Sequence, residues 1–322
     1  MGNAIMPQGT AALATPEVID AQVKEYIQHA KATNTVKAYR TDWHDFMNWC
    51  AAYNVSALPA TAETLARYLT ARATTVKVGT LQRRLSAISQ AHTAKGYPRF
   101  SVLDEPLKSV WAGIRRVHGV AQQGKAPAVT ADIKAMVDCL PGSLLGLRDR
   151  ALLLVGFAGA FRRSELVSLT QADIQFTSDG LTLHLRRSKT DQEGQGRVVG
   201  IPYGSHRETC PVRSLQAWLK ASGITEGPLF RAINRHGQIQ PGALGDKAVA
   251  LVVKRWAEAA GLDPDQYAGH SLRAGLATSA AQAGVPERVI MAQTGHRSAD
   301  MVRRYIREGS LFRENAAAEV GL

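Results

Sequence analysis

LRDRALLLVGFAGAFRRSELVSLT, residues 147–170, runs from Ala151 to Phe161 without a charge and then meets two arginines. The apolar run reads as a buried helix from about Leu147, a turn around Gly159, and a second helix beginning near Arg163 or Ser164. A charge that follows so long an uncharged run is not placed as ordinary surface. Glu165 comes three residues after Arg162 and is spaced to fix its guanidinium, or a neighbouring histidine, by a hydrogen bond.

Downstream the periodicity changes. In GLTLHLRRSKTDQEGQGRVVGIP, residues 180–202, Leu181, Leu183 and Leu185 alternate with polar residues, a turn-rich stretch follows, and RVVGIP supplies a return strand. Lys189 then sits at a hairpin tip, where a long cation reaches a ligand. Helical patterns resume at about 211–222, 243–260, 270–283, 286–294 and 298–307. GHSLRAG, residues 269–275, sets His270 and Arg273 one turn apart on one helical face, so both can address a single phosphate. The flanking glycines allow close approach. Finally, GHRSADMVRRYIREG, residues 295–309, places Tyr305 among arginines. A helical tyrosine ordinarily buries its ring and leaves its hydroxyl at the surface. As a nucleophile toward a phosphodiester it needs cations for the non-bridging oxygens, an acid for the leaving hydroxyl and a base for the phenol. Each type is present, although an RxxE pair, an HxxR pair or a hairpin lysine taken alone is usually an ion pair or a solvated charge.

Composition narrows the partner. Lys plus Arg number 39 against 27 Asp plus Glu, a formal +12 with a pI near 9.8, which suits a polyanion, nucleic acid before a membrane surface. No apolar run approaches about 18 residues and no cleavable leader pattern is present, so a soluble protein of the cytoplasm is expected, with no membrane contact. Cys50, Cys139 and Cys210 form no CxxC pair, which supports neither a disulfide framework nor a cysteine zinc site. His270 and His296 have no acidic cluster and no HExxH around them, so no metal is expected.

At 322 residues the chain predicts two domains of unequal size. Residues 1–15 read as a disordered tail, 16–117 as an all-helical domain, 118–129 as a Gly- and Pro-containing linker, and 130–309 as a mostly helical domain with one small strand region. In the first domain Val36, Tyr39, Trp43, Phe46 and Trp49 form one apolar stripe and Leu81, Leu85 and Ile88 another. Lys37, Arg40 and Thr41, and Gln82, Arg83 and Arg84, fall outside the stripes, either as DNA-reading faces or as solvated ones. In the second, Lys247 and Lys254 on a helix, with Arg231 and Arg235 in the preceding loop, are candidate DNA ligands.

In order and spacing these segments resemble the tyrosine recombinases, the family of phage integrases and Cre-type recombinases, from about residue 17 to the end. AFRRSELVSL matches the first-arginine box, SKT the family lysine, GHSLRAGLAT the HxxR box, and GHRSADMVRRY the second histidine and the tyrosine. TVKAYRTDWHDFMNWC and VGTLQRRLSAISQAH are similar to the Cre-type N-terminal helices. The resemblance implies a mainly α fold with a small β-sheet in the C-terminal domain, the two domains closing as a C-shaped clamp on double-stranded DNA. It implies catalytic roles for Arg162, Glu165, Lys189, His270, Arg273, His296 and Tyr305: the arginines on the phosphate, Lys189 as acid for the 5′ oxygen, His270 as base for Tyr305 or as a hold on the phosphate, His296 as a further donor, and no cofactor. It also implies a homotetramer joined through the tail 310–322, where Leu311, Phe312, Ala316 and Val320 mark an amphipathic helix that otherwise folds back on its own domain. Two other readings share the fold: a type IB topoisomerase, and a DNA-binding regulator that no longer cuts.

Overall fold

Where the sequence supplies a cap, a helix begins: the Thr61 side chain accepts the backbone N–H of Thr64, and the Ser143 side chain that of Gly146. The structure, a computed structural model, describes residues 15–29, 31–98, 104–120, 124–186 and 196–309. It divides into two units, Met1–Gln122 and Gln123–Leu322.

The first unit is helical throughout: α1 (Pro16–His29), α2 (Thr33–Ala52), α3 (Ala62–Ala73), α4 (Val78–Ala94) and α5 (Leu107–His118). Its core joins Phe46, Trp49, Leu65, Tyr68, Leu69, Leu81, Leu85, Ile88 and Leu107. The apolar stripe of α4 is buried as its spacing requires, and on α2 the buried part is the Phe46 and Trp49 end, while Val36 is exposed. Tyr68 stands edge-on to Phe46, ring centroids 4.9 Å apart. Its hydroxyl donates to Asp45 at 2.7 Å.

Between α2 and α4 lies an ionic layer that alters the reading of two arginines. Asp42, 2 % exposed, accepts Arg83 Nε at 2.7 Å and Nη2 at 3.1 Å. Arg84 is turned inward, its side chain 12 % exposed, with Nη1 on Asp45 at 2.7 Å and on the Tyr68 hydroxyl at 3.0 Å. The expectation that Arg84 faces outward is therefore corrected: two acids on α2, some forty residues earlier in the chain, hold its charge inside the unit. Arg83 keeps an open edge but spends its fork on Asp42.

The second unit continues with α6 (Thr130–Asp138), α7 (Leu144–Ala158), α8 (Arg163–Ser168), β1 (Ile174–Phe176), β2 (Gly180–Leu185), β3 (Arg197–Pro202), α9 (Pro211–Ser222), β4 (Arg231–Ile233), β5 (Ile239–Ala243), α10 (Asp246–Ala259), α11 (Ser271–Gln282), α12 (Glu287–Thr294) and α13 (Ala299–Gly309). Helix α7 is apolar all round from Ala151 to Val155 and forms the axis on which α9 and α11 pack. The charges near its start are compensated locally: Arg148 pairs with Asp149 at 2.6 Å, and Trp256 donates to the same carboxylate at 2.8 Å. Strands β1, β2 and β3 form an antiparallel sheet in which Leu181 faces Ile201 and Leu183 faces Val199 across β2 and β3. No helix among the described residues is long and apolar enough to cross a membrane.

Two expectations change here. The strand content is two small sheets rather than one, because β4 and β5 form a separate hairpin. Arg231 consequently opens a strand, and its guanidinium donates to the carbonyls of Pro228 and Glu226 instead of lying in a loop. The residues expected as linker are also partly structural: Ala126 N–H donates to Gln266 O at 2.7 Å, Ala128 N–H to Ser271 O at 2.9 Å, and Ala128 is fully buried. Small residues that read as a connector equally permit close backbone packing. The expected tail 310–322 lies outside the described residues, as do residues 1–14.

That packing depends on Gly275, where a Cβ would sit 1.8 Å from the Ala128 carbonyl oxygen. Gly275→Ala gains about 1 kcal/mol of helix propensity and forces apart two segments that have no room, typically a cost of about 1–3 kcal/mol and more where backbone is struck. We expect a net loss of stability in denaturant unfolding; a gain shows that the segment moves freely.

Candidate active site

The site begins at the end of α7. Gly159 is required there because a Cβ would meet the Phe161 ring at 2.2 Å, and that ring is buried. Ala160 is held in the left-handed region at φ 49°. The chain then re-enters helix at α8 with Arg162 as its N-terminal cap residue. Glu165, three residues on, accepts the Arg162 backbone N–H at 2.9 Å through Oε2 and Arg162 Nη1 at 2.5 Å through Oε1. One buried carboxylate thus caps the start of α8 and aims the guanidinium.

Helix α11 delivers the second arginine. Arg273 is 1 % exposed, and its Nη1 donates to Ala160 O at 2.7 Å. Burial, with Arg162 close by, pushes its guanidinium down to about 10, still charged at neutral pH. Its Nη2 is buried and has no hydrogen-bond partner among the described residues. Such a donor is costly unless an anion meets it.

His270 immediately precedes α11, and its Nε2 lies 3.1 Å from the Tyr305 hydroxyl. Tyr305, 8 % exposed, packs from α13 in a cluster with Ala274, Ala277, Ala281, Ile290 and Val302, so α11 and α13 fix both partners of this bond. The ring is buried as in any helical tyrosine, and the hydroxyl is directed to a histidine.

His296 follows Gly295, the left-handed cap residue of α12. Thr294 Oγ1 lies 2.7 Å from Ile290 O and 2.7 Å from His296 Nδ1. A carbonyl only accepts, so the hydroxyl hydrogen goes to Ile290 and Nδ1 carries its own hydrogen. Nε2 is then an acceptor in the neutral ring. Burial first, then the charges of Arg273 and Arg162, push His296 down to about 4 from its ordinary 6.5.

The structure thus gathers Arg162, Glu165, His270, Arg273, His296 and Tyr305 into one site, while Lys189 lies outside the described residues. Lys37, Arg40, Thr41 and Gln82 are exposed on the first unit, and Arg235 and Lys247 on the second. Lys254 pairs with Asp265 at 2.8 Å. Sequence reasoning missed Arg197 and Gln293. Arg197 has the strand parity of the buried Val199 and Ile201, a charged residue on an inward face, which is a signal present in the sequence.

His296 supplies a pH test. Its folded-state value lies below the unfolded one, so between about 6.5 and about 4 the unfolded chain holds the extra proton and stability falls as pH drops through that window. We expect the imidazole, followed by NMR, to remain neutral with hydrogen on Nδ1 at pH 6, and His296→Asn to flatten the acid side of the stability profile; titration near 6.5 contradicts the buried, cation-flanked setting.

Comparison with known proteins agrees with the geometry. Residues 130–310 match the model of the phage integrase family. The chain is 42 % identical over 309 residues to an integrase/recombinase xerD homolog of Selenomonas ruminantium, covering 95 % of this chain and 91 % of that protein. It is 26 % identical over 279 residues to the recombinase cre of Escherichia phage P1, covering 80 % and 79 %. Among solved structures, the XerH site-specific recombinase bound to a palindromic difH substrate in a post-cleavage complex superposes with a TM-score of 0.60 at 19 % identity, covering 81 % of this chain and 72 % of that one. On the family model and the relative at 42 % identity, the chain belongs to the phage integrase family and is a tyrosine recombinase.

Proposed function

We propose that this protein exchanges strands of duplex DNA at a specific site through a 3′-phosphotyrosine intermediate, as a homotetramer on the DNA. The observation that carries the reading is the Tyr305 hydroxyl 3.1 Å from His270 Nε2, in the same site as Arg273, whose buried Nη2 has no partner among the described residues. A phosphodiester placed there meets the arginine forks. Tyr305 Oη attacks phosphorus, its proton passes to His270, and the bond from phosphorus to the 5′ oxygen breaks. The family lysine, Lys189, is assigned the proton for that leaving oxygen. Arg162 and Arg273 offset the charge that develops on the non-bridging oxygens. An anionic phosphate beside His296 counteracts the surrounding arginines, favours its protonation and restores a hydrogen to Nε2, so His296 becomes a donor only with DNA bound.

The phosphotyrosine ester retains the bond energy of the diester it replaces. A 5′ hydroxyl from a partner strand attacks it in reverse, so the cycle needs no metal, nucleotide or other cofactor. The exposed Lys37, Arg40, Thr41 and Gln82, with Arg235 and Lys247, are the proposed DNA ligands. Arg84 and Arg231 are omitted, because their guanidinium groups are held internally. The tail 310–322 is the proposed link between subunits.

The test uses a duplex from the gene's own neighbourhood, nicked just beyond the scissile phosphate so that cleavage is trapped, in EDTA. The wild-type protein is expected to form a covalent adduct, and Tyr305→Phe to abolish it while changing DNA affinity by less than about threefold, since one hydroxyl contact is lost. Cleavage by Tyr305→Phe sinks the assignment. A recombined product distinguishes strand exchange from relaxation, and tight binding without an adduct on a verified target favours a regulator that does not cut.

A further inference from the structure

Arg197, the first residue of β3, brings a third guanidinium to the site. Its side chain is 21 % exposed and lies on the inward face of the strand with Val199 and Ile201. Nη1 donates to the Gln293 carbonyl at 2.9 Å. Nη2 stands 3.8 Å from Glu165 Oε2, an ion pair too long to be a hydrogen bond, and this buried nitrogen has no hydrogen-bond partner among the described residues. The guanidinium also lies against Gly295: a Cβ there would sit 2.9 Å from Arg197 Cζ and Nη1 and 3.0 Å from Nε. Glycine at 295 therefore meets two demands, the left-handed cap at φ 65° and room for this cation.

The residue that receives Nη1 is itself a clamp. Gln293 Nε2 donates to Ala158 O at 2.8 Å and to Gly200 O at 3.2 Å, which ties α12 to the end of α7 and to β3. Gln293, Thr294 and Gly295 run directly into His296. Arg197 thus touches the two supports of the site, the carboxylate that aims Arg162 and the turn that carries His296. Its guanidinium is engaged by the Gln293 carbonyl and the Glu165 carboxylate, so the arginine acts on the reacting groups through those supports.

We propose that Arg197 is a positioning residue, which braces Glu165 at Oε2 while Arg162 Nη1 holds Oε1, and seats the Gln293–His296 turn, so that Arg162 and His296 are set before DNA binds. The inference deepens the recombinase reading above and rests on it for its kinetic consequence. A merely structural arginine at the foot of a strand would contribute stability and leave the site's electrostatics unchanged. Among the described residues the guanidinium groups of Arg273, Arg162 and Arg197 act on His296, so removing one of them is readable at that ring.

Arg197→Gln and Arg197→Lys separate the possibilities, measured in the full chain with thermal unfolding as a check of the fold. Lysine keeps the charge but holds one partner at a time, where the arginine fork holds two. In single-turnover adduct formation on the nicked duplex, a displacement on the order of 1 Å in the site costs roughly 100-fold. We expect a loss of about that size for Arg197→Gln, a smaller loss for Arg197→Lys, and DNA affinity within about threefold of wild type for both. In the DNA-free protein, His296 titrates at higher pH in Arg197→Gln and stays near its wild-type position in Arg197→Lys. If Arg197→Gln does not fold, the lysine variant carries the test through slowed adduct formation with an unmoved His296. Wild-type adduct rates in both variants, or an unmoved His296 titration in a folded Arg197→Gln, overturn the proposal. Failure of the wild-type protein to form any adduct removes the recombinase reading alone, because the His296 titration is read without DNA.

Discussion

Glu165 is the carboxylate that allows three guanidinium groups to share one buried site. Bringing a charge out of water costs several kcal/mol even after relaxation, and Arg162, Arg197 and Arg273 all lie within its electrostatic reach. Glu165 offsets part of that cost, and its two oxygens also cap the start of α8 and fix the direction of Arg162. Among the described residues the site sets one acid against three guanidinium groups, an excess of positive charge, and the neutral His296 does not add to it. A phosphodiester supplies one negative charge, and its pentacoordinate transition state more. On the reading proposed above, the site comes closest to electrical balance when the reaction is part-way through, the condition for rate acceleration by a preorganised environment.

Such an environment must be rigid, and the burial of α7 provides that. The axis helix is packed by α9 and α11, and the carbonyls at and just beyond its end become acceptors: Ala158 O receives Gln293 and Ala160 O receives Arg273. The Tyr305–His270 pair is held by a second cluster, in which α11 and α13 press small residues against Val302 and Tyr305. Ala274, Ala277 and Ala281 on α11 allow the helices to approach closely, so the 3.1 Å contact between Tyr305 and His270, the cap residue of α11, is set by the packing of these two helices.

Much of this was legible in the sequence where the signal was local. The uncharged run before Arg162, the one-turn spacing of His270 and Arg273, and the alternation of Leu181, Leu183 and Leu185 each report a relation within a few residues. What was not legible depends on partners distant in the chain. Arg84 turns inward because Asp45 lies on another helix. Ala126 and Ala128 join the core because Gln266 and Ser271 offer carbonyls far downstream. The β4–β5 hairpin was missed because its strands are short, without apolar alternation, and interrupted by Pro241. The state of His296 follows from a hydroxyl hydrogen on Thr294, which no spacing rule reports. Arg197 is the intermediate case, since its parity was visible but its neighbours were not.

Ala160 shows what such a site asks of its fold. An alanine at φ 49° stores a local strain of about 1 kcal/mol that glycine would not carry. The same conformation turns the Ala160 carbonyl to Arg273. Glycine would relieve the strain and also free the backbone to rotate that carbonyl away. Stability and pre-alignment therefore pull in opposite directions at this position, and selection for a more robust fold alone would erode the seat of the second arginine.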